Sequence, residues 1–443
     1  MARVTVNAAI PEWCRHAVLC VTVLFAPIAA PALAEEAPAK LVLGEDASFE
    51  NGMRALVEDD FFRAATIFNT MLRRDPHDGN AYIGLSEVQV RGGHLEEAEA
   101  WLLRGIAVRP GDGNLYRARA HVASLRHRNA EAASFLSRAL VLDPRNAQDE
   151  AELARLYAGP LNDPALALTH YRAAVALAPT DASLQYDYAV LLVKQRRTAE
   201  ALPALARAQR LAPLNPLPSF VAARLRAEQG ATSHALAMLD ATLRIRPGLA
   251  AAEQMRGDLL RRAGRPTEAA ASYRAVLRQE PESIAALEGL ALASRTLGRN
   301  DDAVPQFKAV LARDPANIAA LDGLARIGAD RKQNLEQAAV WSRRAIVLRP
   351  GDATLRDTLG WVHLQNGQPA LAEQALREGL KLRPSASLYY HLGLAAAGQG
   401  KMTEAQQFYA RALALQPWLA EAQTALWALA EKAADGMPRA KNS

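Results

Sequence analysis

The residues of this 443-residue chain best suited to chemistry are dispersed. Nine histidines are present. His121 and His127 stand six apart, whereas neighbours on one helical face stand three or four apart, so they do not make a metal pair on one helix. His363 and His391 could each pack or face solvent, and their pattern gives no reason to expect a ligand role. The only cysteines, Cys14 and Cys20, both lie near the N-terminus. No G-x-S-x-G, H-E-x-x-H or phosphate loop is present. Pro110-Gly111-Asp112-Gly113-Asn114 is rich in glycine, but its residues are those of a turn. Trp361 and Tyr390 could stack on a ligand, and are also the kind of aromatic that fills a core. The pattern points to binding rather than catalysis, with no catalytic residue, no cofactor and no metal expected.

The elements that would position a binding site are set by a period. Pro76, Pro110, Pro144, Pro179, Pro213, Pro247, Pro281, Pro315, Pro350, Pro384 and Pro417 follow one another at 34 residues, twice at 35 and once at 33. Twelve residues before each stands an alanine, from Ala64 through Ala303 to Ala405. Eight before stands Phe, Leu or Tyr, except at Ser342. Steps of three and four share a helical face. The alanine admits a close partner helix, and the large side chain fills the space beside it. In Asp357–Pro384 the unit is plain: two helices, a turn at Gly367 that needs left-handed backbone, and a stop at Pro384. Asp78, Asp112, Asn146, Asp181, Asn215, Ser283, Asn317 and Asp352, two residues after their prolines, are expected to cap the next helix, and Leu249 is the misfit. Gly93, Gly230, Gly264, Gly298, Gly367 and Gly400 are expected to end first helices.

A period of 34 with helix–turn–helix units resembles the tetratricopeptide repeat. The resemblance covers residues 45–419. It implies an all-α fold, a right-handed α-solenoid of about eleven tetratricopeptide repeats with a C-terminal capping helix. The domain reading is a signal peptide at 1–34, a linker at 35–44, repeats 1–5 at 45–215, repeats 6–11 at 216–419, a capping helix at 420–434 and a flexible tail at 435–443. The crowding of Pro213, Pro216 and Pro218 suggests a joint between repeats five and six. The terminal helix is expected to bury Leu419, Leu426, Trp427 and Leu429 against the last repeat.

Residues 1–34 have the form of a bacterial secretory signal. Arg3 and Arg15 precede an apolar run, and Ala32-Leu33-Ala34 is an A-x-A site, so cleavage is expected after Ala34 and the destination is the periplasm. Cleavage would remove both cysteines, leaving a chain held by packing alone. It would also remove two cations and one anion, taking the net charge from +5 to +4. With 52 basic against 47 acidic residues, the charge gives no reason to expect nucleic acid. Membrane contact is expected only through the signal or a partner.

The resemblance implies that the first helix of each repeat lines a concave groove. One outward row would run Phe49, Ile83, Arg117, Ala151, Tyr186, Phe220, Gln254, Glu288, Asp322, Asp357, Tyr390, and a second would include His121, Arg155, Arg224, Arg326 and Trp361. Arg117, His121, Arg155, Tyr186, Phe220 and Arg224, with Trp361 and Tyr390 further on, are the candidate partner-binding residues. Arginine mixed with aromatics suits an acidic peptide or an anionic polysaccharide. Some members of the family clamp a peptide C-terminus with lysine and asparagine, but neither row holds either residue. The expected function is a non-enzymatic periplasmic scaffold or adaptor that binds a protein or peptide partner, in assembly or export of envelope or surface components. A carbohydrate-binding role in exopolysaccharide secretion and a non-catalytic subunit of an enzyme complex are the alternatives.

Overall fold

The structure, a computed structural model, describes residues 47–435. The expected signal peptide, the linker at 35–44 and the tail beyond 435 lie outside the described residues. Those residues form helices joined by turns, with no strand among them.

The chain divides into two compact bodies, one up to Pro218 and the other from Ser219. The first holds the pairs α1 (Phe49–Val57) and α2 (Phe61–Arg74), α3 (Gly79–Arg91) and α4 (Leu95–Val108), α5 (Gly113–Leu125) and α6 (Asn129–Leu142), α7 (Ala147–Ala158) and α8 (Pro164–Leu177), α9 (Ala182–Lys194) and α10 (Thr198–Leu211). The second holds α11 (Leu217–Glu228) from its third residue and α12 (Thr232–Ile245), α13 (Ala250–Arg262) and α14 (Pro266–Gln279), α15 (Ile284–Thr296) and α16 (Asn300–Arg313). It continues with α17 (Ile318–Asp330) and α18 (Leu335–Leu348), α19 (Ala353–Gln365) and α20 (Pro369–Leu382), α21 (Ala386–Gly398) and α22 (Met402–Leu415), and ends on α23 (Ala420–Asp435). Odd-numbered helices are the first of each repeat and even-numbered helices the second. The paired helices, followed by the single helix α23, are the all-α architecture the period predicts.

The alanine twelve residues before each proline is fully buried in all eleven repeats, from Ala64 to Ala405. The large residue eight before the proline is buried beside it, as in Phe68, Tyr273, Phe307 and Tyr409. Burying one such side chain stabilises by about 1.5–3 kcal/mol. The first helices give way to it. A Cβ on Gly52 would stand 2.3 Å from the Phe68 ring, and one on Gly84, in the next repeat, 2.4 Å from it. At the exception, Ser342, the hydroxyl is buried without a partner, and the neighbouring Trp341 packs into the surrounding clusters.

Turn chemistry follows the period. Gly93, Gly230, Gly264, Gly298, Gly367 and Gly400 all take positive φ, between 67° and 79°. Asp59, His127 and Arg196 occupy the same register with φ of 58–59°, so His127 is a turn residue. Side-chain oxygens of Asp78, Asp112, Asn146, Asp181, Asn317 and Asp352 accept from the free amides of the next helix, as Asn215 does from the Leu217 amide. Ser283 makes no such bond, and neither does Leu249.

Helix α23 packs on α22 and buries Ala422, with Leu426 and Leu429 against the last core cluster. Trp427 departs from expectation: it is 69% exposed. Ten residues after each proline from Pro76 to Pro350 stands a buried Ser, Ala or Gly, such as Ser86, Ala120 and Gly360, where the second helix of the same repeat packs closely. Trp427 holds that place after Pro417, and among the described residues no second helix follows α23.

Candidate functional site

Within each body, consecutive first helices pack on one another: α1 on α3 and α3 on α5, then α13 on α15, α15 on α17, α17 on α19 and α19 on α21. Consecutive second helices make no comparable contact among the described residues. In these stretches the first helices form the more crowded side of the stack. In the second body this side opens into a cleft of about 540 Å³. Its walls come from α15 (Arg295, Thr296), α17 (Asp322, Arg326, Asp330), α19 (Thr354, Asp357, Thr358), the approach to α21 (Arg383, Ser385) and α21 itself (Ser387).

Three carboxylates line this cleft, and they are held differently. Asp357 accepts from Ser387 Oγ at 2.6 Å and lies 2.7 Å from His391 Nδ1. An ionised carboxylate only accepts, so that histidine nitrogen carries the proton. Burial pushes the Asp357 carboxyl up, but the bonds and charge from His391, with Ser387 and Arg326, prevail and hold it below its ordinary value. Asp330 accepts from Trp361 Nε1 at 2.7 Å. Trp361 stacks on His391, the ring centres 4.8 Å apart. Arg326 stands between Asp330 and Asp357 at 3.8 and 3.9 Å, beyond hydrogen-bonding distance from either. Asp322 is the least satisfied. The Thr358 hydroxyl bonds its carboxylate, but Oδ1 is buried with no partner. Burial raises its carboxyl above the ordinary value, against Thr358 and the nearby charges of Arg295 and Arg326. Among the described residues, Arg295 and Arg383 make no ion pair.

The candidate residues from the sequence fall in both bodies. In the first, Arg117 makes two 2.8 Å contacts to Asp149, one to each carboxylate oxygen, and reaches Asp143 at 2.9 Å. Asp149 is almost fully buried, and burial pushes its carboxyl up despite Arg117. Arg155 joins Asp187 of the following repeat and Glu152. Burial opposes its charge, but Glu152 and Asp187 outweigh burial and raise its value. His121 and Tyr186 are half-buried, and burial lowers the His121 imidazole against the pull of Glu87. In the second body, Phe220 packs against the core and Arg224 is exposed. Trp361 belongs to the Asp330–His391 cluster at the cleft, and Tyr390 packs beside His391 and Tyr409.

The two outward rows already contain Asp322, Asp357, Arg326 and Trp361. They omit Arg295, Asp330 and Arg383. The first two sit one helical turn beyond the second row, three or four residues after Leu292 and Arg326, so a third row continued at helical spacing would have found them. Arg383 lies in the turn before α21, where a helix-face argument does not reach. Among the described residues no group of three or more His, Cys, Asp or Glu could hold a metal, and no helix is long and apolar enough to cross a membrane.

The family model described as tetratricopeptide repeat matches residues 55–122, 153–216, 189–250, 255–318, 295–353 and 358–417. No curated protein matches. Among solved structures, a tetratricopeptide repeat protein from Parabacteroides merdae is 19% identical, with a TM-score of 0.45, over 56% of this chain and 98% of that one. Cut9–Hcn1 of the APC/C hetero-tetramer is 13% identical with a TM-score of 0.45, over 85% and 95%. Yeast Tom70 is 15% identical with a TM-score of 0.37, over 88% and 96%. The matched segments cover more than half of the sequence in phase with its prolines, and the chain belongs to the tetratricopeptide repeat family.

Proposed function

We propose that this protein is an exported periplasmic scaffold that holds a segment of a partner protein along its first-helix face, with the cleft of the second body as the principal seat. Proteins of this repeat family bind protein or peptide partners and are generally non-catalytic. One observation carries the choice of seat: consecutive first helices meet around a polar cleft in which, among the described residues, the Arg295 and Arg383 guanidiniums make no ion pair and one Asp322 carboxylate oxygen is buried without a hydrogen-bond partner. Unsatisfied polar groups of this kind are completed by a ligand more readily than a surface already paired. Export rests on Arg3, Arg15, the apolar run and the A-x-A site. The scaffold would then serve assembly or export of envelope or surface components.

The test is affinity capture of the tagged protein from its own periplasm, with a photo-crosslinker at Thr354 and mass spectrometry of what is held. A protein crosslinked at Thr354 is the expected result. Glycan recovered without protein overturns the reading in favour of carbohydrate binding, and a co-purifying enzyme activity identifies the partner as a catalytic subunit. Intact mass should place the mature N-terminus at Glu35, and a thiol assay should find none. A retained N-terminus removes the basis for export.

A further inference from the structure

The cleft carries more information than its position, because the groups that make no ion pair or hydrogen bond there differ in sign and are separated along the stack. Arg295 stands on α15 at one end and Arg383 in the turn before α21 at the other, with Asp322 between them on α17. The remaining charges in the cleft have partners. Asp357 is held by Ser387 and His391, and Asp330 by Trp361. Arg326 lies between these two carboxylates. What is left for a ligand is therefore a cation at each end and an acceptor on the floor.

From this arrangement we propose that the cleft binds an internal, extended, acidic segment of the partner: two side-chain carboxylates meet Arg295 and Arg383, and a backbone N–H between them meets Asp322. The proposal rests on the scaffold reading above and specifies its ligand. Three helix-to-helix steps of about 8–10 Å separate α15 from α21. An extended chain advances about 3.3–3.6 Å per residue, so a segment of about eight residues spans the interval. A folded helix of eight residues would cover about half of it at most. Planar guanidiniums pair with carboxylates in a forked, charge-assisted geometry, which favours Asp or Glu at the two ends over a hydroxyl. The Asp322 side chain has a soft terminal torsion, so its partnerless oxygen can turn from the floor toward a donor. A lysine in the same place would meet Arg295 and Arg326 as well as Asp322, and like charges there oppose it. The two arginines lie at opposite ends of the cleft, so a free C-terminus is not required.

The test uses a fluorescein-labelled octapeptide, amidated at its C-terminus, with Glu at both ends and Gly, Ser and Thr between. Binding to the full-length protein is read by anisotropy at low ionic strength. The Glu-ended peptide should bind at least tenfold more tightly than a Lys-ended one, and salt should weaken it. The Arg295→Glu/Arg383→Glu variant should lose tenfold or more with an unchanged melting temperature. Methylating the central backbone amides should weaken wild-type binding several-fold, and this difference should vanish in Asp322→Ala. Equal binding of Glu- and Lys-ended peptides, or undiminished binding by the double variant, overturns the proposal. So does an oligogalacturonate that binds through these arginines while the peptide does not. Periplasmic capture separates the two levels. If the double variant still holds the native partner, the scaffold reading stands and the acidic-segment proposal falls; if wild type holds no protein, the scaffold reading itself falls.

Discussion

The first helices of the two bodies use the same framework and dispose of their charges in opposite ways. In the first body Arg117 and Arg155 reach across to the next repeat, to Asp149 and Asp187, and become part of the stack. In the second, Asp330 and Asp357 are satisfied by the Trp361 indole, the Ser387 hydroxyl and His391, while among the described residues Arg295, and Arg383 in the turn before α21, make no ion pair. A guanidinium bound to a buried carboxylate joins repeats, and removing it leaves a charge stranded. A carboxylate satisfied by smaller donors leaves nearby guanidiniums available. One repeat pattern can thus be a staple in one stretch and a binding surface in another.

The strongest way to break this contrast is to remove the arginines. Arg117→Ala strands the buried Asp149 and should cost about 2–4 kcal/mol, somewhat under the range for a fully buried pair because Arg117 is partly exposed. Denaturant titration of the full chain, with hydrogen exchange assigning the loss to the first body, measures it. A wild-type midpoint would mean that the ion pair is not a staple.

The framework itself should respond alike in both bodies. Ala201 and Ala303 hold the same seam position and are fully buried. Replacing either with leucine should overpack the seam and cost about 1–3 kcal/mol, by the same denaturation assay. A much smaller cost at one of them would show that the two stacks are not packed alike.

A pH dependence sharpens the second body's side. Glu373 accepts from Gln399 and Lys401 of the following repeat, and it also pairs with Arg377. Burial pushes its carboxyl up, but the bonds from Gln399, Lys401 and Arg377 prevail and hold it at about 2, against an ordinary value of 4.5. The group releases its proton more readily when folded, so its stabilisation is complete above 4.5 and is lost as pH falls through about 2. Melting curves across that window should be flatter in Glu373→Gln than in wild type. Parallel curves would mean that other carboxylates dominate there.

The smallest expected effects belong to the proposed ligand groups. Arg295→Ala and Arg383→Ala should each shift stability by less than about 0.5 kcal/mol, since neither makes an ion pair among the described residues. A loss as large as that of Arg117→Ala would erase the difference between the bodies.

Much of this architecture is legible in the sequence. The spacing of the prolines, the alanines from Ala64 to Ala405 and the glycines that end first helices specify helix length, pairing and turn, because each acts within one repeat or on its nearest neighbour. Local rules are enough for such features. They fail at Ser283, where a good capping residue makes no bond, and at Trp427, whose place in the apolar period suggests burial. Trp427 is exposed because burial of that face depends on a second helix, and no second helix follows α23 among the described residues.

The charges are another matter. The sequence puts Arg117 and Arg326 in neighbouring rows of the same face and cannot say which of them is already engaged. That depends on whether a carboxylate some thirty residues away arrives at the right height on the next first helix, as Asp149 does within 2.8 Å of Arg117 and Asp357 does only at 3.9 Å from Arg326. Composition and period determined that this chain stacks helix pairs and presents a face. Only the stacking of one repeat on the next decided which polar groups on that face are satisfied, because ion pairs and hydrogen bonds form or fail over about an ångström, a precision that a 34-residue period does not encode.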